Sequence, residues 1–437
     1  MIRILDCSQV ERKELFTRGQ SQPSPQLRAQ VESIVNDVRD RGDQALLDYT
    51  EKFDGVRPER LRVSQEELEA AAAAIGPELL SSLNGAAENI RAYHSRQLRQ
   101  GFRVYGNDGY ILGQKLTPLA AAGLYVPGGT ARYPSSVLMA AIPAKLAGVG
   151  RLVMVTPCGA DGQAPPAILA AAHIAGVSDI YKIGGAQAIA ALAYGTETVP
   201  AVDKIVGPGN IYVTLAKQLV SSFVGIDMMA GPSEILIVAD SASNPMRLAA
   251  DMLSQAEHDA LATAVLICDD MELAQRVREE LERQVEQLPR RDIARASLDN
   301  NGKIIVATDL SQAVDIANEI APEHLELCLD QPFAWLDRIS NAGSIFLGRY
   351  TPEAVGDYWA GPNHTLPTLG TARFASPLSV DDFIKKSSYV YYDLNALGRA
   401  RADIERLARA EGLEGHARSI SSRFVDLEDM QSGEASR

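Results

Sequence analysis

The chain has 437 residues, too many for one simple core, so two or more lobes are expected. Its 46% hydrophobic content is ordinary for a globular protein, and a net charge of -14 provides no basic stripe for phosphates, which argues against nucleic acid as a partner. Cys7, Cys158, Cys268 and Cys328 are widely spaced with no CxxC pair, which suits neither a disulfide framework nor a thiolate zinc site and fits a reducing cytoplasm.

The first residues, Met1-Ile-Arg-Ile-Leu-Asp6, lack the long apolar run of a signal peptide. No later stretch is apolar enough to span a bilayer, so no membrane role is expected. Leu27, Val31, Ile34, Val35 and Val38 recur at helical spacing, and Gly42 can end that helix. A second helical stretch, rich in Ala and Glu, is expected from Ser64 to about Leu98.

The pattern changes near residue 119. Apolar runs at 152–156, 179–183 and 204–206 read as strands, and 165–174, 186–194 and 211–221 read as the helices after them. A second series of strands is expected at 235–238, 264–267, 304–306, 325–329 and 344–347, with a helix from Pro245 to about His258. Such alternation marks an α/β protein with parallel sheets covered by helices, here in two doubly wound lobes. Gly231-Pro232-Ser233-Glu234 suits a hinge between them. After Asp393 the chain is helical and highly charged, too short to bury much alone, and is expected to pack on another lobe or a partner subunit.

Histidine is the usual proton shuttle near neutral pH and the commonest metal ligand. His258, His324, His364 and His416 each lie beside carboxylates or amides, whereas His94 and His173 have no such surroundings and read as structural. Gln255 and His258 are three apart, on one helical face, and can approach one ion; an exposed polar helix end is the competing reading. Asp357 and His416 would complete a Gln, His, Asp, His set of nitrogen and oxygen donors suited to zinc, manganese or cobalt, though spacing does not bring the four together. Glu323-His324 follows Ala321-Pro322, where proline disfavours helix, so the pair sits at a turn entering a strand. A carboxylate and an imidazole in one cleft supply two bases of different strength; a capping carboxylate with a satisfied histidine is the alternative.

Three glycine-rich turns, Tyr125-Val-Pro-Gly128-Gly129-Thr130, Gly184-Gly185-Ala-Gln187 and Gly207-Pro-Gly209-Asn210, each follow a strand and precede a helix. Helix N-termini favour phosphate, and three at the carboxyl ends of strands would line one crevice. None matches GxGxxG, so ordinary βα turns remain the competing reading. Cys158 reads as structural or incidental rather than as a thiol nucleophile.

Taken together, these segments resemble the histidinol dehydrogenase family over nearly the whole chain. The resemblance rests on the three turns and on Met229-Ala-Gly-Pro-Ser233-Glu-Ile, Gln255-Ala-Glu-His258-Asp, Ala321-Pro-Glu323-His324-Leu and Gly361-Pro-Asn-His364-Thr-Leu-Pro-Thr. It implies NAD-dependent oxidation of L-histidinol to L-histidine through the aldehyde, with two NAD+ consumed and one zinc ion per subunit. By the same resemblance Gln255, His258, Asp357 and His416 match zinc ligands, and Glu323 and His324 the catalytic pair. Ser233, His364 and Glu411 match substrate contacts, and Tyr125, Gln187 and Asn210 match NAD contacts. Glu411 and His416 would come from the second subunit of a homodimer. The implied architecture is two incomplete Rossmann-like lobes with an exchanged C-terminal tail. Its divisions are an arm at 1–20, a lobe of 21–124 with 235–380, an inserted NAD-side lobe at 125–234, and a helical tail at 381–437. Related enzymes that oxidise other alcohols, a zinc hydrolase using the same ligands, and a two-lobed binding protein are the alternatives.

Overall fold

The computed structural model describes residues 2–16, 23–128 and 133–425. Gly129 and Thr130 of the first glycine-rich turn therefore lie outside the described residues, as do parts of the expected arm and tail. The chain divides into two compact units, Met1–Leu98 with Pro118–Phe383, and Arg99–Thr117 with Ile384–Arg437.

The first unit contains two parallel sheets. One has five strands in the order Asp179–Lys182, Arg151–Thr156, Ala121–Tyr125, Lys204–Val206, Gly225–Ile226. Because successive strand residues point to opposite faces, Arg151–Thr156 feeds two cores. Val153 and Val155 pack with Val31, Val35, Ile189 and Leu192 on one side. Leu152 and Met154 pack with Leu83, Ile90, Leu138 and Ile168 on the other. The second sheet has six strands, in the order Arg3–Asp6, Lys303–Val306, Thr263–Cys268, Glu234–Ala239, His324–Cys328, Ser344–Leu347. Its central strand splits in the same way, Ile235 and Ile237 to one face and Leu236 and Val238 to the other.

Several expectations change. The stretch from Ser64 to Leu98 is two α-helices, Gln65–Ala74 and Pro77–His94. Gly76 adopts φ 77 between them, and Pro77 starts the second helix where its missing N–H costs nothing. The helices between residues 25 and 94 bury their apolar stripes in the two clusters that cover the five-stranded sheet, and Asn89 also donates to the Trp359 carbonyl at 2.9 Å. Part of the expected arm is an edge strand, Arg3–Asp6, beside Lys303–Val306.

The second unit holds a three-stranded sheet in the order Ile384–Tyr392, Tyr110–Pro118, Phe102–Tyr105, with the last two antiparallel. The expected helical tail thus begins as a strand. Asp393 then caps the helix Leu394–Ala410, its carboxylate accepting from the Ala396 N–H at 2.7 Å, and Glu414–Ser421 follows.

Candidate active site

The helix Leu310–Ile320 ends at Ala321, whose φ of 51 is left-handed, and Pro322 prevents its continuation. The chain therefore turns at Glu323 and enters the strand at His324, which pairs in register with Ile235. Glu323 and His324 are both buried. A single peptide neighbour, Glu234, holds them both. Its N–H donates to Glu323 Oε2 at 2.8 Å, and its carbonyl is 2.9 Å from His324 Nδ1. A carbonyl only accepts, so Nδ1 carries the proton and Nε2 presents a lone pair. Nε2 is buried without a hydrogen-bond partner. It lies 3.7 Å from Glu353 Oε1 and 4.0 Å from Asp357 Oδ1.

Burial sets the protonation pattern. It holds the His324 imidazole below the usual histidine range, against the nearby Asp357 charge, which favours the cation. It pushes the Glu323 carboxyl well above the carboxylate range, opposed by the hydrogen bond from Glu234. A neutral imidazole and a carboxylate of raised basicity are two groups able to take protons near neutral pH.

Gln255 closes the helix Pro245–Ala256, and His258 follows in a turn rather than on the helix itself. With its amide nitrogen toward Glu353, Gln255 donates to both carboxylate oxygens at 2.9 and 3.1 Å, and its oxygen accepts from His258 Nδ1 at 3.1 Å. Asp357 lies on the short helix Glu353–Tyr358, 3.9 Å from His364 Nδ1. His364 Nε2 is 3.4 Å from the Ser136 hydroxyl, on a helix that covers the five-stranded sheet. A cavity of about 200 Å³ is bordered by His324, Phe346, Asp357, Asn363 and His364. Ser233, partly buried, immediately precedes Glu234, and its carbonyl accepts from the Thr263 N–H at 3.0 Å. Glu411 and His416 lie in the second unit, both exposed.

Two participants escaped the sequence reading. Glu353, 3% exposed, stands between His324 and Gln255, and burial pushes its carboxyl far up. Its i,i+4 spacing from Asp357 on one helix face was the available signal. Glu326 lies two residues along the strand from His324, hence on the same face, and its carboxylate accepts from the Glu353 N–H at 2.7 Å. Burial raises both Glu326 and its neighbour Asp251. His324, Glu353 and Asp357 offer ligand atoms within 4.8 Å of one another, a different grouping from the expected ligand set. Nitrogen and oxygen donors from Gln255 and His258, with several carboxyls crowded beside them, nevertheless fit a divalent cation.

At the carboxyl end of the five-stranded sheet, the Gly185 N–H donates to the Tyr125 hydroxyl at 3.1 Å, and burial pushes that phenol up to about 12. Gln187 is 2% exposed, and its Oε1 is buried without a partner. Asn210 is exposed and caps the helix Ile211–Val220, accepting from the Tyr212 and Val213 N–H groups at 3.1 and 3.2 Å. Gly207 packs so closely on the Tyr125 carbonyl that a Cβ could not fit, and its φ of 118 is left to glycine. Two helix N-termini beside an unsatisfied buried amide suit a phosphate-bearing cofactor. Cys158 is partly buried and its thiol is raised chiefly by burial, so it is no activated nucleophile. His94 is buried with Nδ1 2.7 Å from Gln97 Oε1, and His173 is exposed on a helix.

A family model described as histidinol dehydrogenase matches residues 17–424. The histidinol dehydrogenase of Geobacillus kaustophilus is 57% identical over 397 residues, covering 91% of this chain and 94% of its own. That of Clostridium acetobutylicum is 49% identical over 427 residues, covering 97% and 99%. The crystal structure of histidinol dehydrogenase from Elizabethkingia anophelis superposes with a TM-score of 0.92 at 39% identity, covering 98% of this chain and 99% of that one. The chain is an enzyme and belongs to the histidinol dehydrogenase family of NAD-dependent oxidoreductases.

Proposed function

We propose that the protein oxidises L-histidinol to L-histidine by two successive hydride transfers, with zinc bound at Gln255, His258 and Asp357. His416 of a second copy completes the ligand set. The observation that carries the reading is the pairing of His324 and Glu323 on the backbone of one residue, Glu234, with the imidazole Nε2 buried and unpartnered beside Glu353 and Asp357.

Bound zinc would supply a positive template for nitrogen groups of the substrate, which would fix its alcohol carbon beside His324. His324 Nε2 takes the hydroxyl proton as a hydride leaves for the first NAD+, giving the aldehyde. The buried pocket keeps that reactive aldehyde from bulk solvent. Glu323 then takes a proton from water as its oxygen adds to the aldehyde carbon, while protonated His324 returns its proton to the carbonyl oxygen, which yields the hydrate and frees Nε2 again. His324 accepts a hydroxyl proton from the hydrate as the second hydride departs, and the carboxylic acid that forms ionises to the carboxylate of L-histidine. Ser233, His364 and Glu411 orient the substrate. Tyr125, Gln187 and Asn210 hold the dinucleotide, which accepts the hydride.

A homodimer with shared sites accounts for the second unit, which exposes Phe102, Tyr105, Val390, Tyr391, Leu407 and Leu413. A C-terminal tail exchanged between subunits, each with two incomplete Rossmann-like lobes, belongs to the same reading. The free thiols of all four cysteines support a reducing cytoplasm. Among the described residues no helix is long and apolar enough to cross a membrane. Membership of a dehydrogenase family removes the support for the hydrolase and binding-protein readings.

The test is metal exchange. Chelation of the purified dimer is expected to abolish NADH formation from L-histidinol, and added zinc to restore it. Full activity in demonstrably metal-free protein would overturn the zinc template.

A further inference from the structure

Beneath the third glycine-rich turn lies an ion pair that the mechanism does not use. Lys217, on the helix Ile211–Val220, and Asp227, just beyond the strand Gly225–Ile226, are buried, with side chains 3% and 1% exposed. The ammonium donates to the carboxylate Oδ1. Among the described residues the pair's other side-chain hydrogen bonds run to backbone, two of them to Gly207. Lys217 Nζ donates to the Gly207 carbonyl at 3.1 Å. Asp227 Oδ2 accepts from the Gly207 N–H at 2.7 Å, and Oδ1 from the Met228 N–H at 2.6 Å. Both hydrogen-bonding groups of Gly207 are therefore held by one buried ion pair.

Burying two charges is expensive, and well-packed apolar side chains often stabilise a core as well or better. The pair has a more specific consequence. Gly207 adopts φ 118 and abuts the Tyr125 carbonyl, so its peptide must be fixed against the residue whose hydroxyl receives the Gly185 N–H. Three residues on, Asn210 starts the helix that carries Lys217 itself. The pair thus ties together the end of the strand Lys204–Val206, the helix start at Asn210 and the contact with Tyr125.

We propose that Lys217 and Asp227 are positioning residues for the dinucleotide: they clamp the Gly207–Asn210 turn in the shape that receives the cofactor. The role rests on the reading of Tyr125, Gln187 and Asn210 as NAD contacts.

The experiment is an NADH fluorescence titration of the zinc-loaded dimer, with calorimetric titration of L-histidinol alongside. In Lys217→Met the NADH dissociation constant is expected to rise about tenfold or more, while that for L-histidinol changes by less than about twofold, since displacing a supporting turn by an ångström is felt locally. In turnover, KM for NAD+ should rise far more than kcat falls. If the lone Asp227 charge prevents folding, Lys217→Met/Asp227→Asn removes both charges and is expected to show the same selective loss. NADH affinity unchanged in a folded variant, or both ligands weakened alike, would overturn the positioning role while leaving the NAD contacts standing. A wild-type dimer that binds no NADH would overturn both.

Discussion

Replacing His324 with Asn is expected to cut the rate of both oxidation steps by roughly two to four orders of magnitude, the range over which a positioned acid-base group contributes. Asn is the informative substitution because its amide N–H can still donate to the Glu234 carbonyl, as Nδ1 does at 2.9 Å, while nothing replaces the basic Nε2. Both steps suffer because the alcohol and the hydrate each present a hydroxyl proton to the same lone pair. Single-turnover rates with L-histidinol and with the aldehyde, on protein whose melting profile matches the wild type, check it. Retention of either rate would remove His324 from that step. The wild-type pH profile carries a companion signature. Burial favours the neutral imidazole, so the acid limb of kcat/KM should fall below the ordinary histidine value of 6.5, with activity lost as pH drops through that lowered value.

Glu323→Gln is expected to separate the two halves of the reaction. The carboxylate accepts the Glu234 N–H through Oε2, and the amide oxygen of Gln can accept it too, so the turn keeps its geometry. Lost is the ability to take a proton from water, and only the hydration of the aldehyde requires that. Alcohol oxidation in a single turnover should persist near its wild-type rate while carboxylate formation falls by about two orders of magnitude or more. An equal loss in both steps would contradict the division of labour between the two bases. The raised carboxyl of Glu323 suits this role, because burial makes it a stronger base than an exposed glutamate.

Helical periodicity and short apolar runs made much of the first unit legible. Val31, Val35 and Val38 bury as their spacing requires, and the strands at 151–156, 234–239 and 263–268 fall where continuous apolar residues place them. Strands with no buried face were not legible. Phe102–Tyr105 is exposed along its length and Ile384–Tyr392 nearly so, and neither shows the alternation that burial of one face imposes. Arg3–Asp6 passed unnoticed because it is short and ends in charges.

The site divides similarly. His258, His324 and His364 stood out as rare residues beside polar partners, and the fold gathers them around Asp357. The role of Glu234 was hidden because it acts through its backbone N–H and carbonyl, which almost any residue carries. Glu353 was hidden because a carboxylate on a short helix ordinarily faces water, and only the tertiary fold drives it to the side of His324.

The proposed reaction is a four-electron oxidation completed at one site. Its most direct test is the number of NADH molecules formed per L-histidinol consumed by the zinc-loaded dimer. The expected result is two, with L-histidine as the product. One NADH per substrate, with the aldehyde released, would contradict the claim and leave Glu323 without its assigned step.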